Sequence, residues 1–225
     1  MRFFIFFLSF LSIFPLFGQT EFRGAVQIGL NLPYKFKIDA SLEDRYTNKG
    51  FKQIQTDWEI RKTLIKGLGI GTTYRFEGEP AQNSSNFLSY NHRLGVKLKI
   101  DFFNLLDRSK RVDLGISFNQ QWNWKEEGKN LSVLRGKLFW GYDIKNFPIT
   151  PKLYVEHFYC WNENITFTQT ETIIEPGNRT FRYMGGFEYE FNKHAQLAFI
   201  LGRDYIFRKN RFENIVALTL KHDLH

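Results

Sequence analysis

Apolar and polar residues alternate along most of the chain, from residue 22 almost to its C-terminus. In the clearest run, from Leu88 to Phe102, every second residue is apolar except His92, and the residues between them are polar or glycine. Period-two alternation is typical of a β-strand whose two faces meet different environments. Eleven such runs, separated by turn residues, follow one another without helical periodicity. The sequence therefore predicts a single all-β domain.

The length of the runs distinguishes two architectures that share this pattern. A soluble sandwich or lipocalin-type barrel buries its apolar face, whereas a transmembrane barrel turns that face to lipid and its polar face to the lumen. The run from Leu88 to Phe102 has 15 residues. Soluble strands usually have about 5–6 residues, and a tilted strand needs roughly 9–11 to cross a bilayer. The long runs therefore favour a transmembrane barrel.

The positions of the aromatic residues favour the same architecture. They lie at the ends of the runs, with aliphatic residues and glycine between them, as in the aromatic girdles at the two membrane interfaces of a barrel. A soluble core would gather its tryptophans in the middle instead. One predicted girdle contains Tyr46, Tyr74, Phe76, Tyr90, Trp122, Trp124, Tyr159, Trp161, Tyr205 and Phe207, and the other contains Tyr34, Phe36, Phe102, Trp140, Tyr142, Tyr189 and Phe191.

The connections between the runs alternate in length, as expected for short periplasmic turns and longer outer loops. The expected fold is a single antiparallel up-and-down transmembrane β-barrel of about 10–12 strands. Tight connections occur near residues 33, 66, 147 and 193, an intermediate one at 103–110, and longer ones at 79–86 and 163–179.

The number of strands is an open point in this prediction. Single-chain bacterial barrels usually have an even number of strands, whereas the sequence shows eleven runs. Either one run does not span the membrane or one strand has been missed. The weakest assignment is the segment 165–177, for which an outer hairpin is the alternative.

The first 18 residues differ from the rest of the chain. Arg2 precedes an apolar stretch from Phe3 to Phe17, and Gly18 follows it. A basic start, a short apolar centre and a small residue at the end are the layout of a secretory signal peptide. We therefore expect residues 1–18 to be a cleaved signal peptide and residues 19–225 to form a barrel domain in the outer membrane of a Gram-negative bacterium.

Composition and charge limit the partners and cofactors. The chain has 31 Lys+Arg and 23 Asp+Glu, for a formal net charge of +8, but the two signs alternate and form no basic stripe. Nucleic-acid binding is therefore not expected. The single cysteine, Cys160, excludes an internal disulfide and a multi-cysteine metal site. The sequence has no phosphate loop, dinucleotide motif or metal-ligand spacing, so we expect no cofactor and no metal.

The predicted polar face provides the candidate functional site. Its charges of both signs would pair and fill the interior of a narrow barrel. The alternative is a pore or a ligand pocket with a basic rim, suited to anions. Its centre would be a set of residues on neighbouring strands, which we call the basic cluster: Arg93, Lys97, Lys99, Arg135 and Lys137.

Catalysis is not predicted. A barrel enzyme needs a nucleophile and a base within reach of each other. A lipid-facing hydrolase of the outer-membrane phospholipase type would show a His and a Ser two residues apart on one strand. Here Leu94 lies two residues after His92, and Tyr159 lies two residues after His157. We therefore assign no catalytic residues.

Several short motifs resemble those of a known family. They are Glu21-Phe22-Arg23, Leu32-Pro33-Tyr34-Lys35, Leu42-Glu43-Asp44-Arg45-Tyr46 and Gly71-Thr72-Thr73-Tyr74-Arg75-Phe76. Over most of its mature length, the chain resembles an uncharacterised family of small Gram-negative outer-membrane β-barrels, a domain of unknown function. The resemblance implies a fold and a membrane, but no activity and no site residues. The chain departs from many such barrels because it ends at His225 without a C-terminal aromatic residue.

These patterns together predict a monomeric, non-catalytic outer-membrane barrel that acts as a small channel or as a structural or surface-binding protein. Its expected partners are outer-membrane lipid, lipopolysaccharide and the barrel-assembly machinery. Two alternatives stay open on the residues alone: a lipid-modifying barrel enzyme of the outer membrane and a soluble lipocalin-like carrier.

Overall fold

The structure is a computed structural model, and it describes residues 19–80, 88–105, 111–125, 129–167, 170–174 and 177–224. The predicted signal peptide, residues 1–18, lies outside the described residues. Most of the described residues belong to β-strands, because the alternating runs can place polar side chains on one face and apolar side chains on the other. The strands are β1 (Gln19–Leu32), β2 (Phe36–Thr47), β3 (Gly50–Ile65), β4 (Leu68–Pro80), β5 (Leu88–Asp101), β6 (Val112–Lys125), β7 (Lys129–Tyr142), β8 (Ile149–Phe167), β9 (Thr170–Ile174), β10 (Gly177–Asn192), β11 (Ala195–Ile206) and β12 (Arg211–Leu224).

All of these strands except β9 form one closed barrel. Each strand from β1 to β8 pairs antiparallel with the next, β8 pairs with β10, and the order continues through β11 and β12 back to β1. The short β9 pairs with the outer part of β8, for example Ile165 with Thr172. The described residues 165–167 and 170–174 therefore belong to an outer hairpin and add no strand to the barrel.

The barrel has an odd number of strands, eleven, so the even number expected from bacterial barrels is wrong for this chain. An up-and-down chain with an odd number of strands begins and ends at opposite ends of the barrel. Strands β1 and β12 therefore run in the same direction and close the barrel as a parallel pair, with Gln19 opposite Glu213 and Leu30 opposite Leu224. Closure gives each barrel strand two neighbours, which a chain in lipid needs because lipid cannot bond unpaired backbone groups.

The barrel is polar inside and apolar outside. Gln55 and Glu156 are 1 % exposed, whereas Trp58 and Leu218 on the outer face are 51 % and 49 % exposed. Soluble proteins bury apolar side chains and leave charged ones in water. The observed distribution is instead that of a barrel surrounded by lipid, as predicted, and it disagrees with a soluble carrier.

Aromatic side chains surround the barrel near both ends, as the sequence predicts. At one end the Phe76 ring stacks on Tyr90 at a centroid distance of 5.4 Å. At the other end the Tyr189 ring lies 5.1 Å from the Phe191 ring. The exposed residues between these two levels are mainly aliphatic and include Val26, Leu42, Ile60, Leu94, Val96, Leu138, Leu153 and Leu220.

The two ends of the barrel differ in their connections. At the end that we call the tight-turn end, β1 joins β2 through the turn Pro33–Lys35, and a four-residue helix, Phe102–Leu105, follows β5. This helix packs on the β3–β4 turn, where Gly67 has a φ of 82° and a Cβ would lie 2.5 Å from the Leu105 nitrogen. Only glycine suits both conditions. At the opposite, long-loop end, residues 81–87 join β4 to β5 and the β8–β9 hairpin extends outward.

Among the described residues, no helix is long and apolar enough to cross a membrane.

Candidate functional site in the lumen

The structure brings the basic cluster together inside the barrel. Arg93, Lys97 and Lys99 lie on β5, and Arg135 and Lys137 lie on β7. Their side chains line cavities in the lumen. The two strands are not neighbours, contrary to the sequence-based prediction, because β6 lies between them and pairs Asn119 with Lys97 on one side and with Arg135 on the other. The cluster therefore includes polar, uncharged β6 side chains at its centre.

Carboxylates on the barrel wall neutralise part of the basic cluster. A guanidinium nitrogen of Arg93 lies 3.1 Å from Glu77 Oε1, and Lys97 Nζ lies 2.7 Å from Glu59 Oε2. Each pair provides a partner of opposite charge for groups that have limited contact with bulk water. Charges inside a protein are usually paired in this way. For these residues, the interpretation of the interior as a paired-charge network is correct.

Among the described residues, Glu156 is the centre of a network of five charged side chains. Its side chain is fully shielded, and its oxygens lie 2.7 Å from Arg135, 3.5 Å from Lys137 and 3.5 Å from Arg182. Arg182 also lies 2.6 Å from Asp204. Three cations thus share two carboxylates, which leaves an excess of positive charge next to the central lumen.

Three aromatic side chains face the lumen, and the sequence analysis did not identify them. Phe139 on β7 and Tyr154 and Phe158 on β8 face inward together with the charged residues. Cations attracted to the faces of these rings are held against the wall of the barrel. The distances from cation to ring centroid are 4.6 Å for Lys99 over Phe139, 4.1 Å for Lys137 over Tyr154, and 5.4 Å for both Arg135 and Arg182 over Phe158.

The sequence contained a signal for these aromatic residues. Between Leu153 and Tyr159, apolar side chains occupy successive positions at 153–155 and again at 158 and 159. Because successive side chains of a strand point to opposite faces, one member of each adjacent pair must face inward. The sequence analysis had assigned only the outward-facing set.

The ion pairs follow the wall of the barrel. Among the described residues, each ion pair joins side chains on one strand, on adjacent strands or on strands two apart. These pairs therefore do not connect opposite walls of the barrel.

Glycine makes room for two of the pairs that reach two strands away. Lys37 on β2 reaches Asp223 on β12 at 2.7 Å, passing over Gly29 of β1. Lys152 on β8 approaches Asp113 on β6 to 3.7 Å, passing over Gly141 of β7. A Cβ would lie 2.8 Å from Lys37 Cε at the first glycine and 2.8 Å from Lys152 Cδ at the second. A larger residue would push either lysine toward the axis.

Three cavities follow one another along the lumen, and charged side chains contribute to the lining of each. The central cavity has about 230 Å³ and is lined by every member of the basic cluster except Lys99. It shares Glu59 and Lys97 with a cavity of about 540 Å³ at the tight-turn end. On the other side it shares Arg93 and Gln121 with a cavity of about 230 Å³ toward the long-loop end. Neighbouring cavities are therefore in contact with the same side chains.

The cavity at the tight-turn end is the most basic of these spaces. Its lining includes seven lysines and arginines but only two carboxylates, Glu59 and Asp101. A concave surface with an excess of one charge concentrates ions of the opposite charge. This mouth of the barrel is therefore suited to collecting anions.

His92 on β5 and His157 on β8 lie on the outer surface. His92 Nδ1 lies 2.8 Å from the Tyr74 hydroxyl, and His157 Nε2 lies 2.9 Å from Asn178 Oδ1. These contacts show no nucleophile beside either ring. The described ranges contain no group of three or more His, Cys, Asp or Glu that could hold a metal ion, and Cys160 is a buried free thiol.

No family model matches the sequence, and no curated protein matches it at a significant level. Among solved structures, the chain is similar to a KdgM porin, with a TM-score of 0.47 and 9 % sequence identity, over 83 % of this chain and 91 % of the porin. At this distance the likeness says nothing about the solute. Membership in a family of small outer-membrane barrels stays a prediction.

Proposed function

We propose that this protein is a non-catalytic channel of the bacterial outer membrane that favours small anions. The observation that supports it best is the row of three cavities with charged side chains in their lining, which extends from the tight-turn end to the long-loop end while the ion pairs follow the wall. A barrel filled for structural reasons would instead have charged side chains that meet across the axis. The excess of basic residues at the tight-turn mouth sets the preference for anions.

The outer-membrane location is part of the proposal. Its support is the apolar outer face between two aromatic levels, which is the arrangement expected of a barrel at the two interfaces of a bilayer. Short turns in outer-membrane barrels lie in the periplasm and longer loops lie outside. The tight-turn end, with its basic cavity, is therefore assigned to the periplasm.

The expected partners follow from the same arrangement. Outer-membrane lipid and lipopolysaccharide would surround the apolar face, and the barrel-assembly machinery would insert the chain. A monomer is proposed because pairing of β1 with β12 leaves no open strand edge in the barrel for a second chain.

Single-channel recording tests this function directly. The purified chain, inserted into a planar bilayer under a KCl gradient, is expected to give discrete conductance steps and a reversal potential that favours chloride. Substitution Lys137→Gln removes one lumen charge and should move the reversal potential toward zero. A bilayer that shows no steps after verified insertion, or a preference for potassium, would contradict the proposal.

Lys49→Gln is the matched control for this experiment. Lys49 lies in the exposed turn between β2 and β3 at the long-loop end, and it does not line any of the three lumen cavities described above. The substitution removes the same charge without altering the walls of these cavities, so selectivity should stay at the wild-type value. An equal effect of both substitutions would show that net charge, not the lumen, determines the preference.

A further inference from the structure

One arginine lies on the face of the barrel that meets lipid. Arg203 on β11 is directly opposite Tyr183 on β10 and Asn214 on β12, and Asn214 is in turn opposite Thr20 on β1. These four side chains interrupt the apolar outer face with a polar patch, which we call the seam patch. It lies beside the parallel β1–β12 pair.

In the described part of the chain, no carboxylate forms an ion pair with Arg203. Among the described residues, its guanidinium contacts the Phe212 ring, at 4.2 Å from the centroid, and Nε has no hydrogen-bond acceptor. The adjacent carboxylates, Asp204 and Glu213, belong to the opposite face of their strands and pair with Arg182 and Arg211. A half-buried cation on a lipid-facing surface is unfavourable unless an anion accompanies it.

A second unsatisfied group lies in the same patch. The Asn214 side chain is buried, with 8 % exposure, and its Oδ1 has no hydrogen-bond partner. Buried polar atoms normally have partners. Because an amide can present either its oxygen or its nitrogen, Asn214 can donate to an acceptor that also accepts from Arg203. The patch is therefore incomplete without an external acceptor.

The position of the patch determines which anion can reach it. Phe212 is closer to the long-loop end than Asn214, so the Arg203 guanidinium extends toward that end, to the level of the Tyr205 and Phe207 rings. The next turn, Phe207–Lys209, exposes Arg208 and Lys209. This corner of the barrel therefore combines cations at the membrane interface with an apolar surface directly below them.

We propose that the seam patch binds a phosphate-bearing lipid of the outer leaflet. The phosphate oxygens accept hydrogen bonds from the Arg203 guanidinium, which matches phosphate geometry with two parallel N–H donors. The acyl chains lie against Leu201, Val216 and Leu218 below it. This inference rests on the proposed outer-membrane location and the assigned orientation, but it requires no open channel.

Native mass spectrometry of the full chain in detergent tests the proposal. The probes are a lipid A with two phosphate monoesters and the same lipid after removal of both phosphates. Substitution Arg203→Gln is expected to weaken binding of the phosphorylated lipid roughly tenfold, as for loss of a charge-assisted hydrogen bond. Binding of the dephosphorylated lipid should not change.

Two further variants keep the test decisive. Arg203→Lys retains the charge without the planar fork, so it should give a partial loss even if the glutamine variant folds poorly. Lys62→Gln removes an outer-face cation at the opposite end and should bind as the wild type does.

Wild-type binding by Arg203→Gln, an equal loss in Lys62→Gln, or an equal loss for both lipids would overturn the proposal. Lys137→Gln, which tests the channel, should leave lipid binding intact, so the two hypotheses can fail independently.

Discussion

At the scale of single residues, the balance of charge in the lumen depends most on Glu156. Its side chain is completely shielded and contacts Arg135 and Lys137 on β7 and Arg182 on β10, the two strands that flank β8 in the barrel. A buried carboxylate that serves several cations cannot be removed without leaving them unpaired in a region of low water content. Glu156 therefore links the stability of the barrel to its selectivity.

Substitution Glu156→Gln is expected to lower the free energy of unfolding by about 3–5 kcal/mol, the usual cost of breaking a buried ion pair from one side. It should also increase the preference for chloride, because three cations lose one of their two carboxylates. Urea unfolding in lipid vesicles measures the first effect, and the reversal potential measures the second.

The control for this substitution is Glu190→Gln on the same strand as Arg182. Glu190 is exposed and accepts a hydrogen bond from Gln196 at 3.1 Å. The change should leave both stability and selectivity near their wild-type values. If Glu156→Gln behaved in the same way, Glu156 would not be the centre of the network.

At the scale of elements, strand β7 shows how a glycine keeps the lumen open. Gly141 faces the lumen beneath Lys152, whereas Gly136, on the same strand, faces outward and a Cβ there would meet only Phe118 atoms at 3.9 Å or more. Substitution of the two glycines should therefore have different effects on the lumen. In the sequence, each is recognisable only as a small residue.

Substitution Gly141→Ala is expected to displace the flexible Lys152 side chain toward the axis and to lower single-channel conductance. The loss of stability should be small, below about 1 kcal/mol, because the affected ion pair is partly hydrated. Gly136→Ala should leave conductance unchanged. Equal conductance in the wild type and both variants would show that the ion pairs do not border the conducting path.

At the scale of the whole molecule, the closure of the barrel brings its first and last strands together. The parallel β1–β12 pair places Ala25 directly opposite Thr219. This pairing connects the first and last strands of the domain, so it is the most distant contact along the sequence. A barrel with one more strand between them would separate these residues completely.

Cysteine pairs test this closure. In a Cys160→Ser background, Ala25→Cys with Thr219→Cys should form a disulfide under mild oxidation, since neighbouring strands bring Cα atoms within the required 4.4–6.8 Å or so. Ala25→Cys with Ala217→Cys is shifted by two residues and should form little. Gel mobility with and without reductant detects the bond. Failure of the first pair in folded protein would contradict the eleven-strand closure.

The general class of the fold could be predicted from the sequence because alternation is a local property. Residues such as Leu94 and Lys97 are assigned to opposite faces by position alone, and their burial agrees with that assignment. The site could be predicted only in part. The basic cluster faces the lumen as predicted, but β6 separates its two strands, and the carboxylate partners Glu59 and Glu156 depend on register.

What the sequence by itself determined is therefore the all-β architecture, its inverted polarity and the aromatic levels, since each arises from the two-residue period of single strands. The tertiary structure decided the odd strand number, the parallel seam, the aromatic rings in the lumen and the isolated Arg203 on the outer face. These features depend on which strands become neighbours and in what register. Such pairings join residues far apart in the chain, and local patterns do not encode them.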